Sequence, residues 1–359
     1  MNGAVPFPRI GLSCSGGGYR AAAFHLGALE FLHEAGLLPN VRALSTVSGG
    51  TITGVAYTLS LKDGQTFPEF RDGFKRWLTN TELVRVALQN LAAGQPGKKP
   101  EGPWTVIRSC AELYSGELTK GRTFGALWEG PAMHLEDVCY NATEFRTGNS
   151  FRFRYTLSPG NHVIGNRNVP IKREWAREIR LADIIASSSC FPGGFEPLGF
   201  PYEYAWPDTE SGRAARDGLC AQFPKALPLM DGGVYDNQGM ESLIPLEPEE
   251  QKKYDLFIFS DVYQLTPELF ALDDWPYHSP DQGPKNYQAG DWLTRWFFRR
   301  TLNDVNMLLI EAMIIAALTA VGAFWGAWRL WGRDVAALAC VFSGIVITLL
   351  AGMIGAARH

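Results

Sequence analysis

The sequence lacks the features of several common protein classes. It has no basic excess, since 33 Lys and Arg stand against 37 Asp and Glu for a net charge of −4, and this balance gives no nucleic-acid-binding footprint. Its six cysteines are scattered, without a C-x-x-C pair or a histidine at ligand spacing. They therefore indicate buried thiols in a reducing compartment and not a disulfide framework or a zinc site. No carboxylate cluster has calcium-loop spacing, and we expect neither a metal nor a cofactor.

The chain also starts without the basic segment and apolar run of a signal peptide, which favours a cytoplasmic location for the folded domain. Its 359 residues, 46% of them hydrophobic, suffice for one large domain or two small ones with a substantial core.

A tight turn centred on Ser48 joins a predicted strand to a predicted helix. The strand-like segment ends at Val47, and residues 46–50 read T-V-S-G-G. This is the nucleophile-elbow pattern G-x-S-x-G with its first glycine replaced by Thr46. At such an elbow the serine hydroxyl projects above the sheet edge, in front of the N-terminus of the helix that follows. Serine before glycine also occurs in ordinary turns, so the pattern alone leaves both interpretations open.

A glycine loop precedes the elbow. Residues 14–18 read C-S-G-G-G, between a strand-like segment at 8–13 and a helical pattern at 19–35. Exposed N–H groups in such a loop, at the N-terminus of a helix, bind anions. The guest is either a phosphate or the oxyanion of an ester under attack. The Walker pattern is absent, and Ala21 stands where a dinucleotide-binding motif needs its last glycine. The sequence therefore favours the oxyanion.

Three separated motifs occur in the order of one known family. Residues 15–21 read S-G-G-G-Y-R-A, residues 184–192 read I-I-A-S-S-S-C-F-P, and residues 229–237 read L-M-D-G-G-V-Y-D-N. With the serine elbow and two strand-like segments at 138–143 and 254–261, they resemble the patatin-like phospholipases and the related cytosolic phospholipase A2 group over about residues 9–261. The resemblance implies an α/β fold of three layers with a mostly parallel central sheet.

The resemblance also implies a Ser–Asp dyad. Ser48 is then the nucleophile, Asp231 takes its proton directly, and the N–H groups of Gly16, Gly17 and Gly18 hold the oxyanion. An unperturbed aspartate, with a pKa of about 3.9, is a weak base at pH 7. We therefore expect Asp231 to be buried, which would raise its pKa. Arg20 either orients the loop and attracts a lipid phosphate or is a surface residue of its helix.

Other residues admit alternatives. A histidine-containing triad in the order Ser…Asp…His would need His278, because the other candidate histidines precede Asp231: they are His25, His33, His134 and His162. We interpret Ser187, Ser188 and Ser189 as packing residues and Asp236 as a turn residue. The segment 200–226 is interpreted as a surface loop, with a lid over the site as the alternative.

The C-terminal part has a different composition. Residues 312–328 and 335–357 are two uncharged apolar runs, and a membrane span needs about 20 such residues. Tryptophans 325, 328 and 331 lie where an interfacial belt is expected. We predict a transmembrane helical hairpin at 306–357 with both ends cytoplasmic, from a slight arginine bias. A buried helix pair is the alternative. The catalytic domain is predicted at 1–300, with a proline-rich linker at 265–290.

These patterns together predict a membrane-anchored hydrolase of fatty-acyl esters of phospholipids. Its expected partners are the phospholipid substrate and the bilayer, with no nucleic acid, and no oligomeric state is predicted. The alternatives are a neutral acylglycerol lipase, an acyltransferase, and a catalytically inactive membrane scaffold.

Overall fold

The computed structural model describes residues 7–92, 104–157, 163–244 and 251–262. The chain divides into two units, Met1–Pro267 and Glu268–His359, and every described residue belongs to the first. The predicted linker at 265–290 and the predicted hairpin at 306–357 lie outside the described residues. Within the described ranges, none of the helices combines the length and apolar character that a membrane crossing requires.

Nine strands of the described residues form one sheet. They are β1 (Ile10–Cys14), β2 (Val41–Val47), β3 (Asp137–Glu144), β4 (Asn149–Thr156), β5 (Ile164–Gly165), β6 (Pro170–Ile171), β7 (Leu198–Phe200), β8 (Leu227–Asp231) and β9 (Leu256–Ser260). Their order is β6-β5-β4-β3-β2-β1-β9, while β8 pairs with β3 and β7 pairs with β8. The neighbours β3, β2, β1 and β9 run parallel, and the other pairs are antiparallel. The expected three-layer α/β fold is confirmed. The expectation of a mostly parallel central sheet holds for β3, β2, β1 and β9, and the remaining strands make the sheet mixed.

The helices of the described residues are α1 (Gly18–Glu34), α2 (Gly49–Lys62), α3 (Phe67–Asn80), α4 (Leu83–Ala92), α5 (Val106–Leu113), α6 (Arg173–Ala176), α7 (Leu181–Ser189), α8 (Glu210–Gln222), α9 (Gly233–Asp236) and α10 (Met240–Leu243). A π-helical turn, Tyr114–Thr119, continues α5. Short 3-10 turns lie at Leu38–Asn40 and Phe124–Trp128.

The first two strand–helix units form the centre of a three-layer core. Every residue of β1 is buried, as expected for a parallel strand covered on both faces. Helix α1 turns Ala22, Leu26 and Leu29 inward, a spacing that keeps one apolar face on one side of a helix. It packs against α2, which in turn packs against β2 and α7. The elbow at Ser48 and the glycine loop before α1 therefore lie on a rigid base.

The described cysteines are free thiols, and four of the five are buried: Cys14, Cys110, Cys139 and Cys190. The sequence-based expectation of buried thiols is confirmed for these four.

The interpretation of 200–226 as a surface loop or lid is wrong. Phe200 belongs to β7 and is fully buried, and residues 210–222 form α8. Thr209 caps this helix by accepting a hydrogen bond from Gly212 N at 3.0 Å, and Ala215 and Leu219 turn into the core. The prolines and aromatic residues at the start of the segment are typical of a loop, and the apolar face of the short helix that follows is too narrow to give a clear helical pattern in the sequence.

Candidate active site

The elbow holds Ser48 in a conformation that few residues adopt. Its φ of 53° and ψ of −121° lie outside the helical and extended regions. The two glycines that follow allow close contact with the glycine loop, because a Cβ at Gly49 would lie 1.9 Å from Gly18 O and one at Gly50 would lie 2.4 Å from Cys14 O. The S-G-G sequence is therefore required sterically, and the elbow and the glycine loop form one packed unit.

Strand β3 brings Asp231 beside Ser48. Val47, the last residue of β2, pairs with Asn141, and the next residue of β3, Ala142, pairs with Asp231 at the end of β8. The carboxylate accepts a hydrogen bond from Gly233 N at 2.7 Å, and the Ser48 side chain lies close enough to the carboxylate to lower its pKa. The structure thus brings together the two side chains that the sequence analysis paired.

The environment of Asp231 raises the proton affinity of its carboxylate. Only 5% of the residue is exposed, as expected from the sequence. Burial raises the pKa of Asp231 to about 6, although the hydrogen bonds from Ser48 and Gly233 favour the charged form and oppose this rise. A carboxylate with a pKa near the working pH combines proton affinity with a large ionised fraction.

The glycine loop offers two amides and not three. Gly16 N–H donates to Asn237 O at 2.9 Å, so the expectation that Gly16 is an oxyanion donor is corrected. Gly17 and Gly18 are exposed, have φ values of 141° and 64°, and line the cavity beside Ser48. No acceptor among the described residues takes their N–H groups. Residues with a side chain are disfavoured at such φ values, and glycine is not.

Arg20 is exposed on the first turn of α1. Its Nη2 lies 3.9 Å from the position that a Cβ would take on Gly17. The guanidinium therefore lies beside the glycine loop, and it has no acidic partner in the part of the chain that the structure describes.

Ser48, Asp231 and the glycine loop line one cavity of about 440 Å³. It is lined by Gly17, Gly18, Ser48, Phe191, Pro192, Asp231, Gly233, Val234 and Asn237. No described histidine lines it, and within the described ranges no group of His, Cys, Asp or Glu could hold a metal ion. His162 and His278 lie outside the described residues, so the triad alternative based on His278 stays a prediction.

The described histidines have other contacts. His25 donates from Nε2 to Ser15 O at 2.8 Å and accepts at Nδ1 from Ser260 Oγ at 2.9 Å, beneath the glycine loop. Burial lowers its pKa to about 4. His33 stacks on Phe67, and His134 contacts the Tyr57 hydroxyl.

Ser188 contacts the backbone of Ser48, which the sequence analysis missed. Ser48 N–H donates to Ser188 Oγ at 2.9 Å, and the Ser188 hydroxyl donates to Asn141 O at 2.6 Å. Because its single proton is used there, Ser188 accepts from Thr51 Oγ1 at 2.8 Å, and Thr51 accepts from Thr46 Oγ1 at 2.9 Å. A relay of three hydroxyls, Thr46, Thr51 and Ser188, thus ends on the strained elbow. The run of three serines at 187–189 was the only signal in the sequence.

The neighbouring residues behave as expected. Ser187 donates to Asp183 O, and Ser189 donates to Ile185 O, both within α7. The Asp236 carboxylate accepts from three backbone N–H groups of the turn that follows it. The packing role of Ser187 and Ser189 and the turn role of Asp236 are confirmed.

Thr46, which replaces the first glycine of the elbow pattern, is accommodated by Gly54 of α2. A Cβ on Gly54 would lie 2.6 Å from Thr46 Cγ2. The bulk added on the strand is therefore matched by a missing side chain on the helix, and the elbow keeps its geometry.

Comparison with known proteins agrees with this geometry. The family model described as patatin-like phospholipase matches residues 12–244. The matched region contains the glycine loop, Ser48 and Asp231. No curated protein and no solved structure matches the chain.

Proposed function

The chain belongs to the patatin-like phospholipase family and is thus a lipid acyl hydrolase, and we propose that it cleaves fatty-acyl esters of membrane phospholipids with Ser48 as nucleophile and Asp231 as base. One observation carries the proposal: Ser48 and the buried carboxylate of Asp231, whose pKa the serine side chain lowers, line one cavity with two glycine residues whose N–H groups no described residue accepts.

The first half of the reaction transfers the acyl group to serine. Ser48 Oγ attacks the ester carbonyl while its proton passes to Asp231. The carbonyl oxygen becomes an oxyanion, which the N–H groups of Gly17 and Gly18 stabilise. The bond between the acyl carbon and the ester oxygen then breaks, and the lysophospholipid leaves with the proton from Asp231.

Water completes the second half by the same route. It attacks the acyl-serine carbonyl and gives a proton to Asp231, and the same two amides receive the oxyanion. The bond to Ser48 Oγ breaks, the fatty acid leaves, and the proton returns from Asp231 to the serine. No histidine is needed in this route, because Ser48 exchanges its proton with Asp231 directly.

Arg20 gives the proposed phospholipid specificity. Its exposed guanidinium beside the glycine loop suits a phosphate diester, since guanidinium and phosphate form charge-assisted hydrogen bonds. A neutral acylglycerol offers no anion to this group. Arg20→Ala should therefore raise KM for a phospholipid and leave KM for a diacylglycerol unchanged.

We also propose that the catalytic domain lies on the cytoplasmic side of a membrane, held by the apolar segment 306–357. This rests on the two uncharged runs in that segment. The full-length chain should stay with membranes in alkaline carbonate, and a chain ending at residue 305 should be released. Release of the full-length chain would contradict the anchor and leave the hydrolase proposal untouched.

The test of function is phospholipid hydrolysis by purified wild-type protein beside Ser48→Ala and Asp231→Asn. We expect fatty acid and lysophospholipid from the wild type only, and covalent labelling of the wild type by a fluorophosphonate. Hydrolysis that persists in Ser48→Ala would exclude the assigned nucleophile. Product analysis separates the alternatives: an acyltransferase yields a new ester, an acylglycerol lipase prefers neutral lipid, and an inactive scaffold does not label.

A further inference from the structure

Two loops beside the cavity present apolar side chains to solvent. One follows α7 and exposes Phe191 and Pro192, and the other is α9, which exposes Val234 and Tyr235. Phe191, Val234 and Tyr235 are 51%, 45% and 42% exposed. We call these four residues the apolar rim. All but Tyr235 also line the cavity that contains Ser48 and Asp231.

The rim is held in its exposed position by specific contacts. Phe191 N donates to Ser189 O at 3.0 Å, and Phe191 O accepts from the N–H groups of Gly194 and Phe195 at 3.2 and 3.1 Å. The Phe191 ring lies over Gly194, where a Cβ would come within 2.2 Å of it. Phe195 meets the same ring edge-on, with centroids 5.3 Å apart. Phe191 is thus fixed, which lowers the entropy that binding would cost.

The second loop is fixed in a similar way. The N–H groups of Tyr235 and Asp236 donate to Gly232 O at 3.1 and 3.0 Å, and the Asp236 carboxylate accepts from the N–H groups of Gln238, Gly239 and Glu241. An apolar surface that is both exposed and rigid marks an interaction site. Here it adjoins the cavity in which an acyl ester must bind.

Chemistry favours one occupant. Three of the four rim residues line the cavity that contains Ser48, and Arg20 lies beside the glycine loop that lines the same cavity. Apolar side chains together with a cation suit the surface of a phospholipid bilayer, in which acyl chains lie next to phosphates.

We propose that the apolar rim inserts into the surface of a phospholipid bilayer, so that a lipid reaches Ser48 without crossing water. The inference rests on the proposed function, because only a substrate held in a bilayer gives the rim this role. It concerns the cavity mouth alone and does not depend on segment 306–357.

A local probe tests this in the full chain. Ser48→Ala stops turnover, and Cys220→Ser with Cys340→Ser leaves only buried thiols among the described cysteines. Tyr235→Cys is then labelled with bimane, and the protein is mixed with phosphatidylcholine vesicles that do or do not carry spin-labelled quencher lipids. The matched control is Leu157→Cys. Leu157 is 60% exposed and follows Thr156, which pairs with the first residue of β3, at the sheet edge opposite Ser48.

We expect quenching at position 235 roughly fivefold stronger than at position 157. Adding Phe191→Ser and Val234→Ser should reduce quenching at 235 several-fold, with an unchanged circular dichroism spectrum. Equal quenching at both positions would overturn the proposal. So would a blue-shifted bimane at 235 without vesicles, because another part of the chain or a second copy would then cover the rim. Hydrolysis by the wild type is measured separately. Quenching without hydrolysis would therefore contradict the proposed phospholipase activity and still support insertion of the apolar rim into the bilayer.

Discussion

Ser48 illustrates how single residues set the geometry of the site. Its φ of 53° is costly for a residue with a side chain, and the conformation persists only if its surroundings hold it. Ser188 supplies that hold by accepting the Ser48 N–H, while Asn141 O and Thr51 fix the Ser188 hydroxyl in turn. Ser48, the proposed nucleophile, is therefore positioned through its backbone N–H group, and this contact does not use its hydroxyl.

Replacing Ser188 with alanine should loosen the elbow. The buried Ser48 N–H would lose its acceptor, so we expect the free energy of unfolding to fall by about 1–3 kcal/mol. We also expect fluorophosphonate labelling of Ser48 to slow by about tenfold or more, since small displacements of reacting groups are costly. Ser188→Thr keeps the hydroxyl and should restore part of the rate. Ser189→Ala is the control, because Ser189 donates only to Ile185 O of its own helix. Labelling of Ser188→Ala at the wild-type rate would contradict the positioning role.

Asp231 should give the reaction its dependence on pH. Burial raises its pKa to about 6, and the ionised form is the base. The value of kcat/KM for an uncharged short-chain ester should therefore rise about tenfold from pH 5 to pH 7. A midpoint near pH 4, typical of an exposed carboxyl, would show that the titrating group is not this buried aspartate. A short-chain ester avoids any change in the lipid surface with pH.

Among the elements, β3 determines the separation of the proposed nucleophile, Ser48, and the proposed base, Asp231. Its neighbouring residues Asn141 and Ala142 face Val47 and Asp231 in the two adjacent strands. The Asn141 side chain adds a link, because Nδ2 donates to Ser45 Oγ and to Thr46 O, both at 2.9 Å. A shift of one residue in either pairing would move the hydroxyl and the carboxylate apart.

The packing of β2 on α2 predicts a coupled pair of mutations. Gly54→Ala should destabilise the protein, because the new Cβ would meet Thr46 Cγ2 at 2.6 Å. In a Thr46→Ser background that methyl group is absent while the hydroxyl remains for Thr51, so the same change should become neutral or stabilising. We expect a coupling energy of about 1–3 kcal/mol from denaturant unfolding of the four proteins.

The control for this cycle is Gly27→Ala in α1, where a Cβ would meet nothing within 4 Å. It should stabilise by about 0.5–1 kcal/mol, since alanine is the better helix former. A Gly54→Ala cost that is the same with Thr46 and with serine at that position would refute the compensation.

Local sequence patterns predicted the elements of the site. The features that they did not predict depend on contacts between residues distant in sequence. The glycine loop, the elbow and the end of β8 each have a steric requirement that shows within a few residues. Ser188 could not be found this way, because it meets Ser48 across 140 residues of sequence. The same limit explains why Gly16 was wrongly predicted as an oxyanion donor. Its N–H group donates to the carbonyl oxygen of Asn237, a residue distant in sequence that follows Asp231.

In the molecule as a whole, two buried histidines and Asp231 make opposite contributions to stability as pH changes. Burial lowers the pKa values of His25 and His134 to about 4. The unfolded chain therefore binds protons at these sites more readily, and their contribution to stability is lost as pH falls from about 6.5 to 4. Asp231 acts in the other direction. Its folded pKa is raised, so its favourable contribution is lost as pH rises from about 4 through 6.

This balance predicts that the proposed base destabilises the fold. In Asp231→Asn the buried group stays neutral at every pH and keeps an oxygen for the N–H of Gly233. The variant should thus gain stability over the wild type as pH rises, by about 2 kcal/mol more at pH 7 than at pH 4. Denaturant unfolding of both proteins at each pH measures the difference, in which the shared histidine contributions cancel. If the difference in the free energy of unfolding does not change with pH, ionisation of the Asp231 carboxylate does not destabilise the folded protein. An increase, together with lost hydrolysis, would mean that the protein gives up stability to keep a buried charge beside Ser48.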